Sequence, residues 1–181
     1  MGVGVIRVIT AHPKLRADSR ILLIGDSLAQ GLNPQLKALA RDERVTYEGR
    51  GISGSRIDQW AKNPWLDQTL ASYQPTLILV SLGTNDAYMQ GDVWERQRPA
   101  LERLLDKLEA SGAEVVWITP PTLPVVHNGM RVDAGFLDTL SREAPNVFDS
   151  TALNIPRGPD GLHPNVAGLA GWAGALWAWL S

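Results

Sequence analysis

The sequence predicts an α/β fold in which helices cover both faces of a parallel sheet. Short β-rich runs alternate with helical patterns along the chain, and three of these runs are nearly all apolar, as strands covered on both faces require. Strand–helix–strand alternation implies right-handed crossovers and hence parallel pairing. The five strand candidates are residues 21–24, 45–48, 76–81, 114–119 and 146–148.

Helical patterns fill the intervals between these strands. The clearest is Val93–Ala110, in which four leucines share one stripe and Ser111-Gly112 provides a stop. Prolines in the stretch 119–126 predict a loop there, because proline cannot continue regular pairing. The predicted helices are residues 28–41, 55–69, 93–110, 132–143 and 165–180.

The alternation begins at residue 20, so we predict an N-terminal extension over 1–19 and one domain over 20–181. Within the extension, residues 3–10 are interpreted as an extra edge strand or the stub of a connection. A chain of 181 residues is long enough to bury one sizeable core.

Composition narrows the functional classes. The net charge of -2 argues against nucleic acid as the main partner, because phosphate binding needs a basic surplus. The lack of cysteine excludes disulfides, thiolate metal sites and a cysteine nucleophile. No apolar run is long enough to span a bilayer, and the N-terminus has no clear export signal, so a cytoplasmic location is the default expectation. The sequence does not predict an oligomeric state.

Polar or glycine-rich clusters come after four of the predicted strands. They are Gly25-Asp26-Ser27, residues 49–54, residues 83–86, and the loop that carries Asp160 and His163. Ligands of an open parallel sheet bind beyond the carboxyl ends of its strands, which all meet at one edge. We therefore expect these clusters to come together. Serine, histidine and aspartate are the three parts of an acyl-transfer catalyst.

The same four segments, in this order, resemble the motif blocks of the SGNH hydrolase superfamily, also called the GDSL esterase/lipase family. The resemblance implies a flavodoxin-like, three-layer α/β/α fold with a five-stranded parallel sheet. It implies that Ser27 is the nucleophile, His163 the base and Asp160 the partner that orients it. It also implies an oxyanion hole made by the backbone N–H groups of Ser27 and Gly54 and the side-chain amide of Asn85.

These implied roles are chemically reasonable. A serine hydroxyl is a weak nucleophile until a base takes its proton, and histidine is the side chain that does so near neutral pH. A glycine N–H can approach a substrate oxygen closely, and an asparagine amide donates without adding charge. Losing one such donor typically costs about 3–4 kcal/mol of barrier. Gly51 stands in the same block as Gly54 and stays an alternative to it.

The expected activity is hydrolysis of carboxylic esters through an acyl-Ser27 intermediate, without metal or cofactor. The connections after the strands are modest and offer no long lid, which favours short acyl groups such as acetyl, on carbohydrate or on another small molecule. A lysophospholipase or thioesterase of the same fold is an alternative. A binding or assembly module that kept the fold and lost turnover is another.

Two competing interpretations of these residues are weaker. Residues 49–54 also fit the dinucleotide fingerprint Gly-x-Gly-x-x-Gly, but the preceding strand is short and polar and no acidic residue stands about twenty positions later. The three histidines, His12, His127 and His163, lack the spacing of metal ligands. Asp26 and Asp86 are expected to cap helices or bond backbone.

Tryptophan is concentrated near the C-terminus, at Trp172, Trp177 and Trp179. We expect these side chains to pack the last helix on the core. His127 lies in the Pro-rich region, where an exposed loop histidine is the default expectation.

Overall fold

The centre of the protein is a parallel sheet covered by helices on both faces. The computed structural model describes residues 13–181. Five parallel strands follow the order β2-β1-β3-β4-β7, which confirms the predicted flavodoxin-like α/β/α architecture. Their bounds are β1 (Arg20–Gly25), β2 (Thr46–Gly51), β3 (Leu77–Ser81), β4 (Glu114–Ile118) and β7 (Val147–Phe148). The predicted strand over 3–10 lies outside the described residues.

Seven helices accompany the sheet in the described part of the chain, together with a 3₁₀ turn at Ser150–Ala152. Residues of α1 and α7 form one core cluster with one face of the sheet. Residues of α2, α5 and α6 form a second cluster with the other face. The helices are α1 (Ser27–Asp42), α2 (Ile57–Ala61), α3 (Pro64–Tyr73), α4 (Thr84–Ala87), α5 (Val93–Ala110), α6 (Ala134–Glu143) and α7 (Val166–Leu180).

The central strands of the sheet are more buried than the edge strand β2. β1 pairs in register with β3, so that Ile21 lies beside Leu77 and Gly25 beside Ser81, and β3 is buried along its whole length. β2 lies at the edge and alternates between exposed and half-buried residues. It runs to Gly51, three residues beyond its predicted end, because its glycines continue to pair with β1.

The single helix predicted over 55–69 is wrong, since the structure has two helices, α2 and α3, in this region. The side chain of Asn63 accepts the Trp65 N–H and caps α3, and Pro64 occupies the first turn. Proline is favoured at that position and disfavoured further inside a helix. The Asn-Pro pair therefore ends one helix and begins another.

A small antiparallel hairpin, absent from the sequence prediction, follows β4. Its strands are β5 (Val126–His127) and β6 (Met130–Arg131). Asn128 and Gly129 join them with φ values of 50° and 77°. An Asn-Gly pair with both φ values positive is the common two-residue hairpin turn. The Asn-Gly dipeptide is the sequence feature that predicts this turn, but the neighbouring prolines favour a loop without strands.

The described part of the proposed N-terminal extension contacts the last helix, because the Leu15 N–H donates to the Leu180 carbonyl over 2.7 Å. The boundary between 1–19 and 20–181 stays a prediction. None of the helices within residues 13–181 combines the length and apolar character needed to cross a membrane.

Candidate active site

Three of the side chains singled out from the sequence meet at the carboxyl edge of the sheet. Ser27 Oγ lies 2.8 Å from His163 Nε2. The other ring nitrogen of His163, Nδ1, lies 2.5 Å from Asp160 Oδ2. Both distances are within hydrogen-bonding range. Residues 136 positions apart in the chain thus form one continuous chain of hydrogen bonds.

A very tight connection between β1 and α1 holds Ser27. A Cβ added to Gly25 would lie 2.1 Å from the Ser81 carbonyl oxygen, so only glycine lets β1 end this close to β3. The Asp26 N–H donates to that same oxygen. The Asp26 carboxylate then accepts the Leu28 N–H and caps α1, as expected. Ser27 is therefore the first residue of a helix, where backbone N–H groups lack intrahelical partners.

The loop before α7 presents Asp160 and His163. Asp160 Oδ1 accepts the N–H groups of Leu162 and His163, each over 3.0 Å. The His163 carbonyl accepts the Gly158 N–H over 2.7 Å. The hydrogen bond from the His163 ring, together with those from the backbone N–H groups of His163 and Leu162, lowers the pKa of Asp160 to about 2. Asp160 is consequently a carboxylate at neutral pH.

The other two predicted oxyanion donors, Gly54 and Asn85, lie in the loop after β2 and on α4 after β3. The Asn85 side-chain amide donates one hydrogen to the Ser55 carbonyl over 3.0 Å, and its second hydrogen is left for another acceptor. Gly54 is exposed, with φ of 74°. Within residues 13–181 its N–H has no hydrogen-bond partner. The loop 52–55 is held near the start of α1, because the Ile52 N–H donates to the Gly25 carbonyl.

Gly51 and Gly54 have different structural roles. A Cβ on Gly51 would lie 2.2 Å from the Gln30 backbone nitrogen and 2.7 Å from the Asp26 carbonyl oxygen. Gly51 therefore allows β2 to pack closely on α1. A Cβ on Gly54 would meet nothing within 4 Å, so its positive φ is what favours glycine there. Of the two, Gly54 is the more exposed and the one with a positive φ.

Two buried carboxyl groups flank these segments. Asp26 and Asp86 are both fully buried, and one oxygen of each lacks a hydrogen-bond partner in the described structure. Burial raises the pKa of each to about 7, despite the hydrogen bonds that Leu28 and Ile57 donate to them. Asp86 joins the third motif segment to the start of α2, because it follows Asn85 and accepts the Ile57 N–H over 3.3 Å.

A cavity of about 360 Å³ lies elsewhere on the same edge, between the ends of β4 and β7 and helix α6. Trp117, Leu137 and Asp149 are among the residues that line it, whereas Ser27, Asp160 and His163 are not. Two of the three C-terminal tryptophans, Trp172 and Trp177, are buried in the core, and Trp179 packs against it.

The ring of His127 lies 5.7 Å from that of Tyr88, the residue directly after α4. The sequence prediction missed Arg157, whose guanidinium donates to two backbone carbonyls, at Leu162 and Thr122. A lone arginine in a loop carries no sequence signal for such contacts.

Solved structures with this fold include several ester hydrolases. A psychrotrophic esterase from a Pseudoalteromonas species is 19% identical with a TM-score of 0.71, and the match covers 90% of this chain and 97% of that one. An acetyl xylan esterase is 18% identical with a TM-score of 0.67, covering 90% and 100% of the two chains. A GDSL-like lipase from Bacteroides thetaiotaomicron is 18% identical with a TM-score of 0.66, covering 94% and 91%.

One curated protein matches over part of its length. It is a 3-phosphoshikimate 1-carboxyvinyltransferase from Photorhabdus laumondii, 26% identical over 125 residues. The match covers 63% of this chain but only 29% of that protein. The chain thus spans less than a third of the curated relative that it matches.

A family model provides the assignment. The model described as the GDSL-like lipase/acylhydrolase family matches residues 23–170. This range is most of the chain and contains all four motif segments, from Ser27 to His163. With the site geometry and the shared fold, it establishes that the chain belongs to the GDSL-like lipase/acylhydrolase family.

Proposed function

We propose that the chain is a serine esterase that hydrolyses short-acyl esters, for example acetyl groups on carbohydrate, through an acyl-Ser27 intermediate. The observation that carries the proposal is the hydrogen-bonded chain from Ser27 Oγ through the His163 ring to Asp160, with links of 2.8 Å and 2.5 Å. Nucleophile, base and orienting carboxylate at such distances are the arrangement that acyl transfer requires.

In the proposed mechanism, His163 Nε2 takes the proton of Ser27 Oγ as this oxygen attacks the ester carbonyl carbon. The carbonyl oxygen becomes an oxyanion, which the N–H groups of Ser27 and Gly54 and the Asn85 amide stabilise. The imidazolium gives its proton to the departing alcohol, and the acyl group stays on Ser27. A water molecule, deprotonated by His163, then attacks the acyl carbon. The bond from this carbon to Ser27 Oγ breaks, the imidazolium returns the proton to Oγ, and the acid leaves.

Asp160 keeps the ring in the productive tautomer. Its carboxylate accepts from Nδ1, which leaves Nε2 free to accept the serine proton. Its lowered pKa keeps it charged while His163 becomes an imidazolium. No metal or cofactor is needed for any of these steps.

The openness of the site supports short acyl groups. The side chains of His163 and Asp160 are 44% and 43% exposed, so an ester on a bulky carbohydrate can approach from solvent. The connection from β1 to α1 is a single residue, and that from β3 to α4 is two. One solved structure with the same fold is an acetyl xylan esterase, which is consistent with this substrate class.

A second candidate is an esterase for longer chains, of the lysophospholipase or thioesterase type. The observation in its favour is the hairpin after β4, where Val125 is 60% and Val126 53% exposed. Apolar side chains left in water can contact an acyl chain. We prefer the short-acyl proposal because a long acyl chain on this open surface would stay partly in water, whereas a tunnel would remove it from water.

The test compares the wild type with Ser27→Ala on nitrophenyl esters from acetate to decanoate. We expect Ser27→Ala to lower kcat at least about 10³-fold, since it removes the nucleophile. Ser72→Ala, an exposed serine on α3, is the matched control and should keep the wild-type rate. Equal rates for wild type and Ser27→Ala would overturn the serine mechanism.

The same series tests substrate class. Short-acyl specificity predicts the highest kcat/KM at acetate or butyrate and release of acetate from acetylated xylo-oligosaccharides. A maximum at octanoate or longer would favour the second candidate. Labelling of Ser27 by an ethylphosphonate ester, located by mass spectrometry of the tryptic peptide, would identify the nucleophile directly.

A further inference from the structure

We propose that Arg157 is a positioning residue, whose guanidinium ties the loop carrying His163 to the segment after β4 and thereby fixes His163 over Ser27. The inference rests on the proposed function, because it assigns a partner to the base of that mechanism. Arg157 is half-buried and lies six residues before His163.

The guanidinium reaches in two directions. Its Nη1 donates to the carbonyl of Leu162, the residue directly before His163. Its Nη2 donates to the Thr122 carbonyl over 2.6 Å, in the Pro-rich segment that follows β4. The Arg157 backbone also forms a β-bridge with Pro164. Arg157 therefore contacts the chain on both sides of His163 and holds that loop to a separate segment.

Arg157 gives the loop an attachment beyond the loop itself and the helix that follows it. The N–H groups of Leu162 and His163, which donate to Asp160, fix the shape of the loop, and its continuation into α7 holds one end. The buried side chains of Ile155 and Leu162 anchor it by apolar contact, which is not directional. Among hydrogen bonds of residues 13–181, the one from Arg157 to Thr122 joins the loop 153–165 to the segment 119–133.

An arginine suits this role better than a lysine does. Both of its acceptors are uncharged carbonyls, and it forms no ion pair within the described residues. A guanidinium presents its donors in a rigid fork, so one group can hold two carbonyls at a set angle. A lysine ammonium at the end of a flexible stem fixes no such angle.

Loss of the guanidinium should affect turnover more than substrate binding. The proton transfer from Ser27 depends on the placement of Nε2, and a displacement of about 1 Å can cost about 100-fold in rate. We expect Arg157→Ala to lower kcat about 30- to 100-fold and to change KM less than about threefold. Arg157→Lys should lose about tenfold, since it reaches one carbonyl at a time.

The experiment measures kcat and KM on nitrophenyl acetate and the melting temperature for both variants. Arg98→Ala, which removes an exposed arginine paired with Glu102 on α5, is the matched control and should behave as wild type. Addition of millimolar ethylguanidinium should raise kcat of Arg157→Ala at least fivefold and leave Arg98→Ala unchanged. A role in stability alone would lower the melting temperature and would not give a loss of kcat that ethylguanidinium rescues.

Three results would overturn the proposal: a wild-type kcat in Arg157→Ala, a full kcat in Arg157→Lys, or a loss that appears in KM and melting temperature without rescue. If Arg157→Ala does not fold, the Arg157→Lys result decides. Ser27→Ala is assayed alongside. An active Ser27→Ala means that the proposed function has failed, whereas an inactive Ser27→Ala with a fully active Arg157→Ala means that only the role of Arg157 has failed.

Discussion

The two halves of the candidate site are built in different ways. Ser27 follows a strand that is buried from Ile21 to Gly25 and a buried carboxyl group, and close packing of β1 against β3 sets its place. Asp160 and His163 stand on a loop with side chains more than two-fifths exposed, and a few hydrogen bonds set their place. The core determines the first half, so changes there should cost stability. Changes in the second half should cost activity first.

The largest effect on activity is expected in the exposed half of the site, which carries Asp160 and His163. Asp160→Asn should lower kcat roughly 10⁴-fold, because an amide can hold the ring in the wrong tautomer and does not stabilise imidazolium. The melting temperature should fall by only a few degrees, since the side chain is near the surface and Asn keeps an oxygen for the backbone N–H groups. Steady-state kinetics and thermal unfolding of one preparation check both. A large fall in melting temperature would contradict the contrast between the halves.

The next effect is expected in the buried half. Gly25→Ala should lower the free energy of unfolding by about 3 kcal/mol, because its Cβ would overlap the Ser81 carbonyl oxygen and must push β3 away. Gly174→Ala on α7 is the matched control, since its Cβ meets nothing within 4 Å. That variant should gain about 0.5–1 kcal/mol from helix propensity. Urea denaturation measures both, and similar values for the two variants would refute a packing origin.

A third effect concerns the charge state of the buried half. Asp26 and Asp86 have pKa values raised from 3.8 to about 7. Between these values the unfolded chain has released protons that the folded chain keeps, so stability should fall as pH rises from about 4 to about 7 and then level off. The lowered pKa of Asp160 acts below this window.

Asp86→Asn should reduce the dependence of stability on pH to the part that Asp26 contributes. The amide is neutral at every pH, and its oxygen still accepts the Ile57 N–H. Melting temperatures from pH 4 to 8 provide the measurement. Asp138→Asn, an exposed carboxylate on α6, is the control and should keep the wild-type slope. An unchanged slope in Asp86→Asn would mean that this carboxyl group is not the source.

The sequence predicts those parts of the molecule that depend on hydrophobic pattern and order along the chain. Residues 77–80 form an unbroken apolar run that β3 buries on both faces, and the helix predicted over residues 93–110 has the bounds of α5. Order along the chain also places Ser27 and His163 on one edge, because parallel strands all end there. The observed contact between the two agrees with this expectation.

The features that the sequence does not predict depend on one or two local residues or on contacts between distant segments. The break at Asn63-Pro64 and the turn at Asn128-Gly129 are local signals that the surrounding pattern outweighed. The Arg157–Thr122 contact joins residues 35 positions apart and follows no pattern. The raised pKa values of Asp26 and Asp86 depend on their complete burial. The sequence does not predict this burial, because aspartate is usually a surface residue.

The spacing of the hydrogen-bonded chain has a consequence for how the molecule assembles. Asp160 and His163 are three positions apart and can pair within one loop, whereas Ser27 meets them across 136 positions. Breaking the backbone at the exposed turn of Asn128 and Gly129 would leave the hydroxyl on one fragment and the acid–base pair on the other. Neither fragment holds a complete catalyst, so ester hydrolysis would report that the two have joined, much as a split reporter does.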